Sequence, residues 1–267
     1  MLQVSPKCVK CGICAAICPR RIIMMGQAGP EMTDASMCIA CGHCVAVCPE
    51  GALDHAAAPL AKQVPLGDWR GLDYETAVRF LRSRRSIRCY RPEAVPREKL
   101  RELLEIARFA PTGSNSQGLS YVVISDRSLL AKLSETTVAW MEEMVKEKAA
   151  GAALYAKIAQ VYRKTSYDII LRGAPHLILA VAPREFANGQ TNARFALAYV
   201  ELLAPTLGLG TCWAGFLERC AFSGYPPICR LLDLGEGMAL AGAVMAGYPQ
   251  YAYQRLVDRN PLPVIWR

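Results

Sequence analysis

Histidine is scarce in this 267-residue chain. The three present are His43, His55 and His176, and none stands in a serine–carboxylate or metal-hydrolase neighbourhood, which excludes a hydrolytic triad or zinc-peptidase centre. No Gly-x-Gly-x-x-Gly follows a strand-like run, so a dedicated nicotinamide-dinucleotide domain is absent from the pattern. The opening MLQVSPKCVKC has no basic start followed by an apolar stretch, and the expectation is a cytoplasmic protein with reduced thiols. Long apolar runs are nearly missing too. The one segment that raises a membrane question, Phe195 to Leu217, contains Glu201, Pro205, Gly208 and Gly210 and lacks a basic flank. It reads as a buried helix running into a strand, and no membrane partner is expected.

What is present is apolar mass and positive charge. At 52% hydrophobic, the chain is no disordered segment and is long enough for a small module plus a globular domain. The net charge of +8 is unevenly placed. Residues 1–54 balance Lys7, Lys10, Arg20 and Arg21 against Glu31, Asp34, Glu50 and Asp54, which leaves 27 basic and 19 acidic residues downstream. Nine arginines fall between Arg79 and Arg108, a supply that suits a phosphate-bearing cofactor as well as a polynucleotide. With no zinc finger and no aromatic-basic motif beside them, no nucleic-acid partner is expected.

Twelve cysteines are distributed just as unevenly, eight of them between Cys8 and Cys48. Such clustering argues for metal rather than disulfides. A shift of thirty residues superposes KCVKCGICAAICP (7–19) on MCIACGHCVAVCP (37–49), matching every cysteine and both prolines. Each copy reads Cys-x2-Cys-x2-Cys-x3-Cys-Pro, the spacing of bacterial two-cluster ferredoxins, in which the fourth cysteine ligates the cluster of the other copy. On that reading Cys8, Cys11, Cys14 and Cys48 hold one [4Fe–4S] cluster, and Cys38, Cys41, Cys44 and Cys18 hold a second. Gly12 and Gly42 relieve the loops, and Pro19 and Pro49 end the short helices. Zinc is the alternative, since paired Cys-x2-Cys knuckles also make tetrahedral sites; the repetition and cross-sharing favour clusters. A segment with so few large apolar side chains takes much of its core from them. His43 and His55 are given no role.

Residues 1–58 are thus expected to form a 2[4Fe–4S] ferredoxin domain and 59–72 an irregular linker, alanine-, proline- and glycine-rich without a sustained period. From Tyr74 a helical pattern runs through YETAVRFLRSR, and a second through REKLRELLEIARFA until Pro111 stops it. Apolar, β-branched runs at Tyr121–Ser125, His176–Ala182 and Met238–Ala246 predict strands, with a long helical excursion from Ser128 to Leu171. The expected class is α+β for residues 73–267, an antiparallel-rich central sheet flanked by helices. Asp168, Glu201 and Asp233 read as ordinary helix or surface charges, and His176 as a structural histidine.

Three stretches of this second domain together resemble the nitroreductase family of FMN-dependent oxidoreductases. SRRSIRCYRP (83–92) carries an Arg-x-Ser-x-Arg pattern, and the resemblance implies that Arg84, Ser86 and Arg88, with Arg85 beside them, contact the flavin phosphate, ribityl chain and ring edge. Guanidinium forks suit a phosphate dianion. ARFAPTGSNSQ (107–117) is similar to the family's helix-stop loop and implies contacts from Pro111, Ser114, Asn115 and Gln117. LGLGTCWAGF (207–216) is similar to its glycine-rich turn; there Trp213 lines the site while Ala214 and Gly215 offer backbone N–H groups to the flavin. Many members carry an acidic residue where Ala214 stands. The C-terminal AGYPQYAYQRLVDR implies a basic side chain on the phosphate, Arg255 first and Arg259 second.

The resemblance spans residues 74 to 259 and implies a homodimer holding FMN. The mechanism it suggests passes single electrons through two clusters to FMN, which reduces a small organic acceptor of the nitroaromatic type by hydride transfer. An external donor, ferredoxin or NAD(P)H, fits the same scheme. Ene- or dehalogenation-type reduction on the same fold is the alternative, as is a non-catalytic electron carrier or redox sensor; an arginine-rich helix binding an acidic partner without flavin is the third. No residue is assigned as the catalytic acid.

Overall fold

The computed structural model describes residues 2–165 and 167–267, which divide into two units: Met1–Gly71 with Gly113–Ser116, and Leu72–Thr112 with Gln117–Arg267.

The first unit is built from β1 (Leu2–Val4), α1 (Ile13–Ile17), β2 (Ile23–Met25), β3 (Pro30–Met32), α2 (His43–Ala46) and β4 (Leu53–His55). β1 pairs antiparallel with β4, placing Gln3 opposite Asp54, and β2 with β3, placing Met24 opposite Glu31. The thirty-residue repeat is visible in the backbone. Gly12 and Gly42, immediately before the two helices, both adopt left-handed φ values of 77° and 72°, which only glycine reaches without cost. Lys10 and Ala40, also thirty apart, adopt φ values of 53° and 52°; each carries roughly 1–2 kcal/mol of strain to wrap its loop. Ile23 and Leu53, again equivalent, are both buried in a core that otherwise consists of Cys14, Cys18, Ile22 and Val45. Residues 59–71 stay with this unit: Leu60 N–H donates to Asp54 Oδ1 at 2.8 Å, next to a 3-10 turn at Leu60–Lys62.

The second unit contains α3 (Tyr74–Ser83), α4 (Arg97–Glu105), β5 (Ser120–Ile124), α5 (Arg127–Lys146), α6 (Ala152–Thr165), β6 (His176–Pro183), α7 (Gly189–Leu203), β7 (Gly210–Trp213), α8 (Gly215–Phe222), α9 (Pro226–Leu232) and β8 (Met238–Gly247). Asp73 and Asp126 start α3 and α5 by accepting the backbone N–H groups of Thr76 and Leu129. The strand order is β5-β6-β8-β7, antiparallel throughout. An antiparallel sheet commonly leaves one face to water; here both faces are covered, which explains why β6 and β8 read as unbroken apolar runs. Leu177, Leu179 and Val181 of β6 join a core with α5, α6, α8 and α9, while Ile178, Ala180 and Ala182 join a second with α4 and α7. The two-residue period of the strand sorts its side chains between them.

α7, a 3-10 turn at Ala204–Leu207 and then β7 bear out the reading of the apolar 195–217 stretch. Among the described residues no helix is long and apolar enough to cross a membrane.

Candidate functional site

The eight clustered cysteines line two separate cavities of the first unit, one through Cys8, Cys11, Cys14 and Cys48, the other through Cys18, Cys38, Cys41 and Cys44. Each cavity takes three thiols from one copy of the repeat and the fourth from the other, the partition expected from the spacing. None of the twelve cysteines is in a disulfide, and burial pushes the Cys14 and Cys44 thiols up. Among the described residues no three His, Cys, Asp or Glu side chains are grouped to hold a single metal ion. All-thiolate donor sets, four to a cavity, fit a polynuclear iron–sulfur group.

Around the sulfurs the backbone supplies donors, with Ala40 N–H at 3.4 Å from Cys38 Sγ and Ala52 N–H at 3.3 Å from Cys48 Sγ. His55, unassigned in the sequence, joins them. Its Nδ1 accepts the Ala57 N–H at 3.2 Å, so Nε2 carries the proton and faces Cys38 Sγ at 3.6 Å. Burial lowers the pKa of the ring, which favours its neutral form. His43 also lines that cavity.

In the second unit, the arginine-rich stretch after α3 runs along β7. Ile87 N–H donates to Thr211 O at 2.8 Å, and Ser86 bridges to Thr211 in the parallel sense. Gly210 makes this approach possible, because a Cβ there would lie 2.3 Å from Ile87 Cγ1. Arg88, Trp213 and Gly215 consequently meet in one cavity of about 330 Å3. Arg85 lines a second cavity, of about 240 Å3, with Thr211 and Tyr253; its Nε is buried without a hydrogen-bond partner, and its guanidinium lies 5.6 Å from the Tyr253 ring centroid. Arg84 lines neither. It pairs at 3.6 Å with Glu201, whose side chain is buried.

Glu201 is therefore not the ordinary helix charge that its sequence context suggested. Burial raises its pKa, opposed by the Arg84 charge and by hydrogen bonds from Trp213 and Thr211. The missed signal lies in α7: Glu201 falls four residues after Leu197 and next to Val200, inside the buried stripe of Ala193, Ala196, Leu197 and Val200. A second buried carboxylate, Glu218 in α8, accepts Ala243 N–H at 2.7 Å and both Nη1 contacts from Arg194 at 2.9 and 3.1 Å. Arg194 in turn stacks 4.5 Å from the Trp213 ring centroid. Trp213 is thus held by Glu201 at its indole edge and by the Glu218-anchored Arg194 at its face.

The turn after β7 corrects one detail of the sequence reading. The Ala214 N–H is taken by Ala243 O at 2.9 Å, because residue 214 still follows the β8 ladder. Gly215, the first residue of α8, keeps its N–H outside the helical pattern and is the available donor.

None of the remaining assigned residues is among those that line this cavity. Ser114, Asn115 and Gln117 have left-handed φ values of 51°, 53° and 54°. Ser114 and Asn115 belong to the first unit, where Asn115 Nδ2 donates to Ile39 O and Ala40 O at 3.0 and 3.1 Å. Pro111 precedes that turn, and Gln117 N–H donates to Thr112 Oγ1 at 3.0 Å. Arg255 and Arg259 lie in the exposed stretch 250–267. His176 is structural: buried, it accepts Val95 N–H on Nε2 at 2.8 Å and lies 2.7 Å from Ser125 Oγ through Nδ1.

Comparison with known proteins accounts for both units. Residues 7–52 match a 4Fe-4S dicluster domain model, and residues 81–248 match the nitroreductase family model. An NADH dehydrogenase of Thermus thermophilus is 30% identical over 217 residues, covering 73% of this chain and 97% of that protein. Nitroreductase NfnB of Mycolicibacterium smegmatis is 28% identical over 168 residues, 52% of this chain and 70% of that protein. A crystal structure of a nitroreductase with bound FMN from Desulfitobacterium hafniense shares the fold at a TM-score of 0.57 and 19% identity, over 71% of this chain and 97% of that one. The strand order, the arginine-rich approach to β7 and the 168 matched residues thus converge: the chain belongs to the nitroreductase family, as an FMN-dependent oxidoreductase preceded by a 4Fe–4S ferredoxin domain.

Proposed function

We propose that the chain is a reductase that draws single electrons through two [4Fe–4S] clusters and delivers them, paired at FMN, to a small organic acceptor of the nitroaromatic type. The observation that carries this reading is the division of eight cysteines into two four-cysteine cavities, a donor set with no use in a flavin-only enzyme. When bound, the clusters supply one-electron transfer and FMN supplies the conversion of two such electrons into a hydride.

The protein's own residues supply position and charge. Cys8, Cys11, Cys14 and Cys48 hold one cluster, and Cys18, Cys38, Cys41 and Cys44 the other. Ala40, Ala52 and His55 place N–H groups on ligand sulfurs, which stabilises added negative charge. In the second unit Arg88 and the Gly215 N–H face the flavin ring edge, with Trp213 as a wall of the cavity. Arg84 and Ser86, with Arg255 from the C-terminal stretch, serve the phosphate. The orphaned Nε of Arg85 fits an anionic cofactor beside this stretch. Two copies of the chain pair, a reading supported by the apolar side chains left in water near residue 267, where Leu262, Ile265 and Trp266 are 82–90% exposed. Cysteines that form no disulfide suit a cytoplasmic setting, with ferredoxin or NAD(P)H as external donor.

The test is an absorption spectrum with iron and flavin analysis of protein purified without oxygen. About eight irons per chain, from two four-iron clusters, together with released FMN, are expected. Iron without flavin, or flavin without iron, overturns the reading. Anaerobic turnover with a nitroaromatic, an enone and a haloaromatic then ranks the acceptor chemistries.

A further inference from the structure

We infer that Arg172 and Arg219 give the cavity beside Gly215 an anion-binding end, so that its acceptor is a planar organic anion, an aromatic or enone bearing a carboxylate, taken in preference to its neutral counterpart. This rests on the proposed flavin site and names the substrate class for it.

The charge balance of the cavity carries the argument. Three guanidinium groups line it, those of Arg88, Arg172 and Arg219, and no carboxylate does. None of the three enters an ion pair among the described residues. The nearest acidic side chains in sequence are engaged elsewhere. Asp168 binds the backbone N–H groups of Ile170, Leu171 and Gly173 at 3.1, 2.9 and 3.0 Å, pinning the turn that bears Arg172. Glu218, the neighbour of Arg219, faces Ala243 N–H and Arg194. Three uncompensated cations around one apolar hollow raise its potential and favour a counter-anion.

Both arginines are also oriented. Arg219 Nη1 lies 3.5 Å from Tyr155 Oη, and Tyr155 is 5% exposed and packed 5.3 Å from the Trp140 ring. Arg172 Nη1 lies 3.4 Å from Tyr167 Oη, and Arg172 holds a left-handed φ of 59°, a backbone strain that the Asp168 clamp sustains. Each phenol engages one corner of a five-donor fork and leaves the rest for a carboxylate. Trp213 and Phe216 are the aromatic walls, flat faces suited to a flat body, and aliphatic side chains such as Leu154 and Ile169 complete the lining. The ligand that meets these arginines lies at the flavin ring: Arg88 and Gly215, assigned to the ring edge, line this cavity, whereas Arg84 and Ser86, assigned to the phosphate, do not.

The experiment titrates oxidised, FMN-loaded wild-type protein and the variants R172Q, R219Q and R172Q/R219Q with 4-nitrobenzoate and with nitrobenzene, read by perturbation of flavin absorbance. FMN and riboflavin affinities are measured alongside. Wild type is expected to bind 4-nitrobenzoate about tenfold or more tighter than nitrobenzene, as a charge-assisted pair gives. The double variant is expected to bring that ratio near one while FMN affinity stays within about twofold. A ratio near one in wild type, or one unchanged in the double variant, overturns the inference. So does loss of FMN with riboflavin binding kept, since the arginines then serve the flavin phosphate. If the glutamine variants misfold by circular dichroism, R172K/R219K, which keeps both charges, must retain a ratio well above one. If wild type binds no flavin, the proposed function fails by itself; calorimetric titration of the flavin-free protein with the same two probes then decides the inference on the same ratio.

Discussion

The two units hold themselves together by different means. The first buries six residues in its core, two of them cysteines, whereas the second fills both faces of a four-stranded sheet with two apolar layers. In the first, the residues that define the site are also those that hold the fold. In the second, a sheet core stands without the site, and the site residues are added along one edge strand. The difference teaches where each unit is vulnerable: one to loss of metal, the other to loss of side-chain volume.

The largest expected effect breaks the comparison if it fails. Removing iron with a chelator under mild oxidation should abolish hydrogen-exchange protection over residues 2–55, because four aliphatic side chains cannot offset the chain entropy of that unit. Amides of β6 and β8 should keep their protection, as units opening independently do. Persistent protection of the β1–β4 pair after iron removal would show that the first unit carries a sufficient core of its own.

The converse test attacks volume. Leu177, fully buried in β6, has no metal to compensate for it. Leu177→Ala should cost the second unit about 2–5 kcal/mol in denaturant unfolding, with iron content per chain unchanged. A smaller step follows for Glu201→Gln, which leaves the partly buried Arg84 without its carboxylate while keeping an amide oxygen for Thr211 and Trp213. A loss of about 1–3 kcal/mol is expected, together with weaker FMN retention as Arg84 loses its orientation. Unchanged values in both measurements would reduce the Arg84–Glu201 pair to a passive contact.

Legibility in the sequence followed the same division. The cysteines of the first unit lie within a few residues of one another or at a fixed shift of thirty, so spacing alone predicted how they divide between two cavities. The strands of the second unit were readable because β6 and β8 are unbroken apolar runs. Its site was readable only in part, since Arg88, Trp213 and Gly215 are brought together by a close approach at Gly210 that no local pattern encodes. Glu201 and Arg84 are 117 positions apart, and Glu218 and Arg194 are 24 apart; such pairings depend on which helix faces which strand. Arg172 and Arg219 carried no motif at all, and only the cavity shows what they share.

The smallest effect concerns His176, where the same sheet core constrains a proton. Val95 N–H donates to Nε2, so that nitrogen must keep its lone pair, and Nδ1–H is left to donate to Ser125 Oγ. Protonation would set two N–H groups against each other. Burial first, and the Arg127 charge second, lower the pKa below its ordinary value of 6.5. The folded state thus binds fewer protons than the unfolded one wherever the unfolded imidazole titrates. Stability from this group is therefore fully present above pH 6.5 and is lost as the pH falls toward the depressed folded value. Thermal unfolding of the second unit should show a Tm that falls between pH 7.5 and 5.5 (on the order of one unit either side of that pKa). The slope should flatten in His176→Asn, whose amide keeps an acceptor for Val95 N–H without a titrating ring. An equally steep slope in the variant would assign the acid sensitivity to other groups, among them the cysteine-bound centre of the first unit, and the two units would then share a weakness that their cores do not.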